Sequence, residues 1–135
     1  MEKFNNFIAI GITGTEKTLI PSGVSGQNTS LVGTASNQGT NTRTVNSTVI
    51  VNGLYLTGNK ADTEYVVSMF IKDTNYPSRP INVLNNIPIP ANNAFFLERA
   101  ITLLPTQYLA FIMPANKNPA NEVIHASASS IEIVD

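Results

Sequence analysis

The sequence predicts an all-β protein, an antiparallel β-sandwich with about eight strands in two packed sheets. Apolar and polar residues alternate with period two along most of the chain, which is the repeat of a strand that buries one face. Clusters of Gly, Pro, Asn and Asp separate the alternating segments at short intervals. The 135 residues are most simply a single domain, 1–135, because a chain of this length buries about two-thirds of its unfolded surface.

Two neighbouring segments have the clearest strand patterns. In TEYVVSMFIK (63–72) the apolar residues at 65, 67, 69 and 71 share one face. The preceding segment, STVIVNGLYLTG (47–58), is followed by the polar stretch TGNKAD, so the pair is predicted to form a hairpin. Asn52-Gly53 has apolar neighbours on both sides, which indicates strand interior or a bulge rather than a turn.

Further strands are predicted at residues 7–13, 17–20, 81–84, 86–89, 94–97, 107–113 and 122–134. The last strand changes phase, since its apolar residues at 124–128 and at 131–133 have opposite parity. A bulge near Ser129-Ser130 would keep both sets facing the core.

Prolines mark the ends of several segments. Pro88 and Pro90 cannot donate to a central ladder, so they are predicted at a strand end or on an edge strand. The following Asn92 and Asn93 suit a turn. Pro105 argues against a helix in ITLLPTQYLAFIM.

Residues 22–48 form a long polar segment that does not fit the compact pattern. Of its 27 residues, 19 are Ser, Thr, Asn or Gly, and Arg43 is its single charge. Loops longer than about 12–15 residues are usually functional or disordered. Two interpretations stay open: a flexible surface loop, or an arm that becomes ordered against a partner. Leu31, Val32 and Val45 favour the arm, because a linker does not need apolar side chains.

Composition excludes several classes of function. Charged residues make up 13% of the chain with a net charge of −1 and no basic run, so nucleic-acid binding is not expected. The chain has no Cys, which removes disulfides and the commonest zinc sites. No apolar run approaches the ~20 residues of a membrane helix, and the start of the chain lacks a signal-peptide pattern. Low charge instead favours wide contacts with neighbouring molecules.

The titratable residues predict no catalytic or metal site. His125 is the only histidine, and Ser127 two residues along the same strand gives poor nucleophile–base geometry. The nine acidic residues are scattered, and only Asp62 and Glu64 lie close in sequence. We therefore expect no enzyme activity, no metal and no cofactor.

The order of segments over residues 47–135 is similar to that of small bacteriophage virion proteins with a single jelly-roll fold. The resemblance lies in TVIVNGLYLTGNKADTEYVVSMFIKD, in the proline corner NIPIPANNAFFLE, in ITLLPTQYLAFIMPAN and in the final VIHASASSIEIVD. Asn92-Asn93 stands where glycine is usual in that class, and residues 22–48 look like an insertion.

The resemblance implies a non-enzymatic structural protein of the virion, made in the host cytoplasm. It implies a capsid-associated minor, penton or decoration protein that forms a trimer or pentamer and contacts other virion proteins such as the major capsid protein. We expect assembly contacts in the first six residues and in residues 22–48, with Phe7 in addition. The residues expected to make them are Met1, Phe4, Phe7, Leu31, Val32, Arg43 and Val45.

An alternative hypothesis is a receptor- or carbohydrate-binding module of a phage fibre or collar. Such a site needs an exposed aromatic residue with convergent polar side chains. The segment DTNYPSRP contains the candidate patch, Asp73, Asn75, Tyr76 and Arg79.

Overall fold

The structure is a computed structural model that describes residues 2–34, 37–58, 60 and 62–134. Its strands are β1 (Glu2–Ile12), β2 (Lys17–Ile20), β3 (Thr29–Thr34), β4 (Asn37–Thr42), β5 (Thr48–Gly58), β6 (Tyr65–Asp73), β7 (Tyr76–Ile89), β8 (Ala94–Leu97), β9 (Ile101–Leu103), β10 (Gln107–Ile112) and β11 (Val123–Ile133). The described part of the chain contains no helix, which confirms the all-β prediction.

The strands form two main antiparallel sheets and a separate hairpin. A five-stranded sheet has the order β1-β11-β5-β8, with β9 also paired to β5, and a four-stranded sheet has the order β2-β10-β6-β7. β3 and β4 pair only with each other. Strands β8 and β9 pair with successive parts of β5, at residues 54–57 and 49–51. Eleven strands in these ranges replace the eight or so that were predicted.

Both main sheets bury one face in the same core, an arrangement consistent with a β-sandwich. The buried side chains include Phe7, Val49, Leu56 and Ile124 from the five-stranded sheet, and Leu19, Tyr65, Met69 and Phe111 from the four-stranded sheet. The alternation of apolar and polar residues therefore has the predicted cause, because every second residue of these strands is removed from water.

The predicted hairpin between residues 47–58 and 63–72 is wrong. β5 belongs to the five-stranded sheet and β6 to the four-stranded sheet, so the chain crosses between sheets after Gly58. Tyr65 is fully buried, and its ring lies where a side chain at Gly58 would be. The two strands thus pack across the core instead of sharing a ladder.

The bulge predicted near the end of the chain exists, but its consequence differs from the expectation. Ser129 pairs with Gly53 and Ser130 pairs with Val51, so the extra residue is Asn52 on β5. β11 keeps one alternation throughout, with Ser130 and Glu132 buried. The isoleucines at 131 and 133 lie on the other face and are only half-buried.

The proline corner behaves as predicted. Residues 81–84 and 86–89 belong to one strand, β7, which lies at the edge of the four-stranded sheet and contains Pro88. Asn92 follows β7 with a positive φ of 60°, the turn conformation that asparagine tolerates.

The polar segment 22–48 is not a structureless loop over its described residues. It contains the β3–β4 hairpin, and it returns to the core through Arg43, which is fully buried. Asn and Gly, which are frequent in this segment, are depleted in strands, so the tertiary contacts that follow explain the hairpin better than propensity does.

Arg43 ties the segment to the rest of the fold. Its guanidinium donates hydrogen bonds to the Ser47 hydroxyl and to five backbone carbonyls, those of Pro21, Ser47, Leu103, Leu104 and Gln107. Burial lowers the pKa of Arg43 to about 10, with Glu132 acting in the opposite direction. The group stays charged at neutral pH, and its planar fork satisfies carbonyls from three separate stretches of chain.

Glu132 is the buried acid beside this network. Its carboxylate accepts hydrogen bonds from the Asn5 amide at 3.2 Å, the Thr44 backbone N–H at 3.2 Å and the Thr44 hydroxyl at 2.6 Å. A fully buried carboxylate requires such partners, because burial of a charge without hydrogen bonds is costly. The acid therefore links the end of β11 to β1 and to the residue after Arg43.

Asn41 of the hairpin closes the edge of β1. Its side-chain amide donates to the Ile8 carbonyl at 2.8 Å and to the Leu19 carbonyl at 2.9 Å. The Asn41 amide oxygen accepts from the Ile8 backbone N–H at 3.3 Å. One side chain thus pairs with both backbone groups of Ile8, as a neighbouring strand would.

Candidate functional site

The outer face is the solvent side of the five-stranded sheet. On β1 the residues Phe7 and Ala9 point into the core, so their even-numbered neighbours point outward. Phe4 is 80% exposed, Ile8 55% and Ile12 37%. We call these three residues the β1 strip.

The β1 strip is uncharged along its length. From Phe4 to Ile12, β1 contains no Asp, Glu, Lys or Arg. On the adjacent β11, the register partners of the strip are Ile131, Ser127 and Val123, which are half-buried. Exposed apolar side chains in a row, with no charge to desolvate, are typical of a surface that contacts another molecule.

A cavity on the same face lies at the opposite edge of the sheet. It has a volume of about 420 Å³ and is lined by Asn52, Gly53, Leu54, Tyr55, Phe96, Leu97, Glu98 and Ser129. Tyr55 is 43% exposed and Phe96 62%, and their ring centroids lie 6.0 Å apart at a tilt of 38°. We call this site the aromatic pocket.

The β-bulge shapes the aromatic pocket. Asn52 is the extra residue of the bulge and is exposed, and the next residue, Gly53, lines the pocket without a side chain. A second cavity of about 380 Å³ adjoins on the β1 side and shares Asn52 and Ser129 with the first. The two cavities form a groove across the strands of the outer face.

The predicted assembly residues divide into exposed and buried groups. Phe4 and Leu31 are exposed, Val32 packs partly against the core, and Val45 is half-buried. Met1 lies outside the described residues.

Phe7 and Arg43 are corrections to the predicted contact set. Both are fully buried within the chain, so neither side chain is available to a neighbouring molecule. Phe7 fills the core between the sheets, and the Arg43 guanidinium is occupied by backbone carbonyls. Arg43 acts inside the fold.

The alternative patch lies around the β6–β7 turn and the start of β7. One Asp73 oxygen accepts a hydrogen bond from the Asn75 backbone N–H within the β6–β7 turn, and the other accepts from the Thr106 hydroxyl between β9 and β10. Tyr76 and Arg79 are exposed at the start of β7. A groove of about 350 Å³ nearby includes Thr74 and Pro77 in its lining, but not the four patch residues.

His125 and the acidic residues lie apart. His125 is exposed on the outer face of β11, while Glu132 is buried on the opposite face of the same strand. In the described ranges, no group of three or more His, Cys, Asp or Glu residues could hold a metal ion. Among the same residues, no helix has the length and hydrophobicity that crossing a membrane requires.

No protein-family model matches this chain, and a search of curated proteins finds none with significant similarity.

Glu122 is the centre of a small polar cluster with Lys60 and Tyr65. Its carboxylate accepts a hydrogen bond from Lys60 at 2.7 Å and another from the Tyr65 hydroxyl at 3.2 Å. The hydrogen bond from Lys60 is the main reason that the pKa of Glu122 lies below its usual value of 4.5. The same pair raises the pKa of Lys60.

The lowered pKa of Glu122 predicts a contribution to acid sensitivity. A carboxylate whose pKa is lower in the folded state stabilises the fold above its unfolded pKa, and this stabilisation is lost as pH falls. We expect Glu122→Gln to flatten the decline of Tm below about pH 4.5, measured by thermal unfolding across pH. Glu64→Gln, which removes an exposed carboxylate from the same region, is the control. Equal slopes for wild type and Glu122→Gln would contradict the assignment.

Proposed function

We propose that this chain is a non-enzymatic structural protein of a bacteriophage virion, with a single jelly-roll fold. It is capsid-associated, as a minor capsid, penton or decoration protein, and acts through surface contacts with further copies and with other virion proteins such as the major capsid protein. The virion assignment rests on the sequence resemblance over residues 47–135.

The strand order supports the jelly-roll part of the proposal. Eight strands remain when the β3–β4 hairpin is treated as an insertion and β8–β9 as one interrupted strand, since both pair with β5. Numbered in chain order, these eight strands form sheets with the orders 1-8-3-6 and 2-7-4-5. A jelly roll winds eight strands into two such sheets by two Greek keys.

The β1 strip is the observation that carries the assembly part. Phe4, Ile8 and Ile12 present exposed apolar area on one side of an edge strand that has no charge between them. Each fully buried Phe or Ile side chain stabilises a contact by about 1.5–3 kcal/mol. A neighbouring molecule that covers the strip therefore gains substantial free energy with little desolvation of charge.

Light scattering on the purified chain tests the proposal. We expect a trimer or pentamer for the wild type, because closed cyclic assemblies suit parts that lie on symmetry axes. The double variant Phe4→Ser/Ile8→Thr is expected to weaken association by at least about 30-fold, which corresponds to roughly 2 kcal/mol.

The matched control is Ile81→Thr, which removes a comparably exposed isoleucine from β7 in the other sheet. Its solution mass should equal that of the wild type. A wild-type chain that stays monomeric at all accessible concentrations would contradict self-assembly. An oligomer that is insensitive to the double variant would contradict the role of the β1 strip.

A further inference from the structure

We propose that the aromatic pocket binds a neutral oligosaccharide. This goes beyond the proposed assembly function. The aromatic pocket itself contains no residue of the β1 strip, although the adjoining cavity reaches Phe4. Three features of the pocket carry the inference: its paired aromatic rings, its hydrogen-bonding side chains, and the absence of cationic side chains from its lining.

The aromatic rings provide an apolar platform. Tyr55 and Phe96 are register partners on β5 and β8, and both rings remain substantially exposed after they contact each other. An exposed aromatic face recognises a ligand surface that is itself apolar, such as the C–H face of a sugar ring. The rings are held on paired strands, so the platform is ordered before a ligand arrives.

The polar lining matches hydroxyl groups. Asn52 offers both donors and an acceptor, Ser129 offers one donor and acceptor, and Glu98 offers acceptors. Sugar hydroxyls act as donor and acceptor at once, so each can pair with these groups. A purely apolar partner would leave the same three side chains without hydrogen bonds on burial, which is unfavourable.

The charges in the lining disfavour anionic ligands. No Lys or Arg lines the pocket, and its single formal charge is the carboxylate of Glu98. Phosphate and carboxylate groups are recognised by cationic donors, usually Arg or Lys. A nucleic acid, a phosphorylated ligand or an acidic glycan is therefore disfavoured relative to a neutral one.

The adjoining cavity gives room for more than one sugar ring. The shared residues Asn52 and Ser129 connect it to the aromatic pocket, and its far end is lined by Phe4, Asn5 and Asn6. Neighbouring strands are spaced about 4.8 Å apart, so the groove from β8 to β1 spans roughly 14 Å. We expect an oligomer to bind more tightly than its monosaccharide.

The test is an NMR titration of the ¹⁵N-labelled full chain with neutral hexasaccharides of glucose, mannose, galactose and N-acetylglucosamine. We expect at least one to bind with a Kd of about 1 mM or tighter, with shift changes confined to the aromatic pocket and its groove. Phe96→Ala and Tyr55→Ala are each expected to weaken binding at least tenfold. Ile81→Ala, which removes a comparably exposed apolar side chain from β7 in the other sheet, should leave the Kd unchanged.

Three results would overturn the inference. They are no binding of any of the four hexasaccharides at millimolar concentration, binding that Phe96→Ala and Tyr55→Ala leave intact, and stronger binding of an acidic polymer such as oligogalacturonate. The solution masses of the Phe96→Ala and Tyr55→Ala variants are measured in parallel. Because self-association is assigned to the β1 strip, loss of binding with unchanged mass separates this inference from the assembly proposal.

Discussion

Replacing Arg43 by alanine is expected to lower the free energy of unfolding by about 4 kcal/mol, a large part of the total stability of a domain. The substitution removes the guanidinium donor from its buried contacts with the Pro21, Ser47 and Leu103 carbonyls. The partly buried carbonyls of Leu104 and Gln107 lose the same donor, although Leu104 keeps its hydrogen bond from the Gln107 backbone N–H. It also removes the nearby positive charge from buried Glu132. Urea unfolding followed by circular dichroism gives the measurement.

Arg43→Lys is the matched control for this prediction. Lysine keeps the positive charge but has three donors on one nitrogen, which cannot reach carbonyls arranged around a planar fork. We expect it to recover about half of the loss. If Arg43→Ala cost less than about 1 kcal/mol, the network would not be the anchor of residues 22–48.

Gly11→Ala is expected to destabilise the fold by about 3 kcal/mol, at the upper end of what overpacking usually costs. A methyl group at Gly11 would overlap the ring of Phe111, which is fully buried in the opposite sheet. The midpoint of urea unfolding should fall with an unchanged m-value.

Gly53→Ala provides the comparison, because Gly53 is also a strand glycine of the five-stranded sheet. The nearest atom to a methyl group there is the Ser129 Cβ at 3.9 Å, an ordinary contact distance. We expect a change within about 0.5 kcal/mol. Equal losses for the two variants would contradict the assignment of the effect to the Phe111 ring.

Period-two alternation predicted most of the strands because each buries one face, and burial is the strongest local signal in a sequence. It did not predict how strands are grouped into sheets. β5 and β6 have the pattern of a hairpin, yet they belong to different sheets. Alternation reports which face is buried and contains no information about whether the next strand lies beside it or across the core.

The sequence pattern also did not predict the buried polar network. At the end of β11 the isoleucines suggested the core face, whereas Ser130 and Glu132 occupy it. Glu132 can be there because Asn5 and Thr44 supply its hydrogen bonds, and those residues are distant in sequence. A lone arginine in an otherwise uncharged segment was the available signal, and a buried anchor explains it better than a surface contact does.

The aromatic pocket was missed for a similar reason. Tyr55 and Phe96 are far apart in sequence and meet only through the β5–β8 register. The apolar segments LYL (54–56) and FFL (95–97) indicated strands, but they did not indicate which aromatic residues would be exposed. Asn52 was recognised as part of a possible bulge, while its position beside two aromatic rings depends on the whole sheet.

The Asn41 side chain has a consequence for how copies of this chain meet at high concentration. Strands with free edges recruit other strands into growing cross-β aggregates. By occupying both backbone groups of Ile8, the Asn41 amide blocks such recruitment in the middle of β1. A second chain can still contact the exposed apolar side chains of β1 on the outer face. Ordered association through that face is therefore retained, while fibril-like growth along the β1 edge is suppressed.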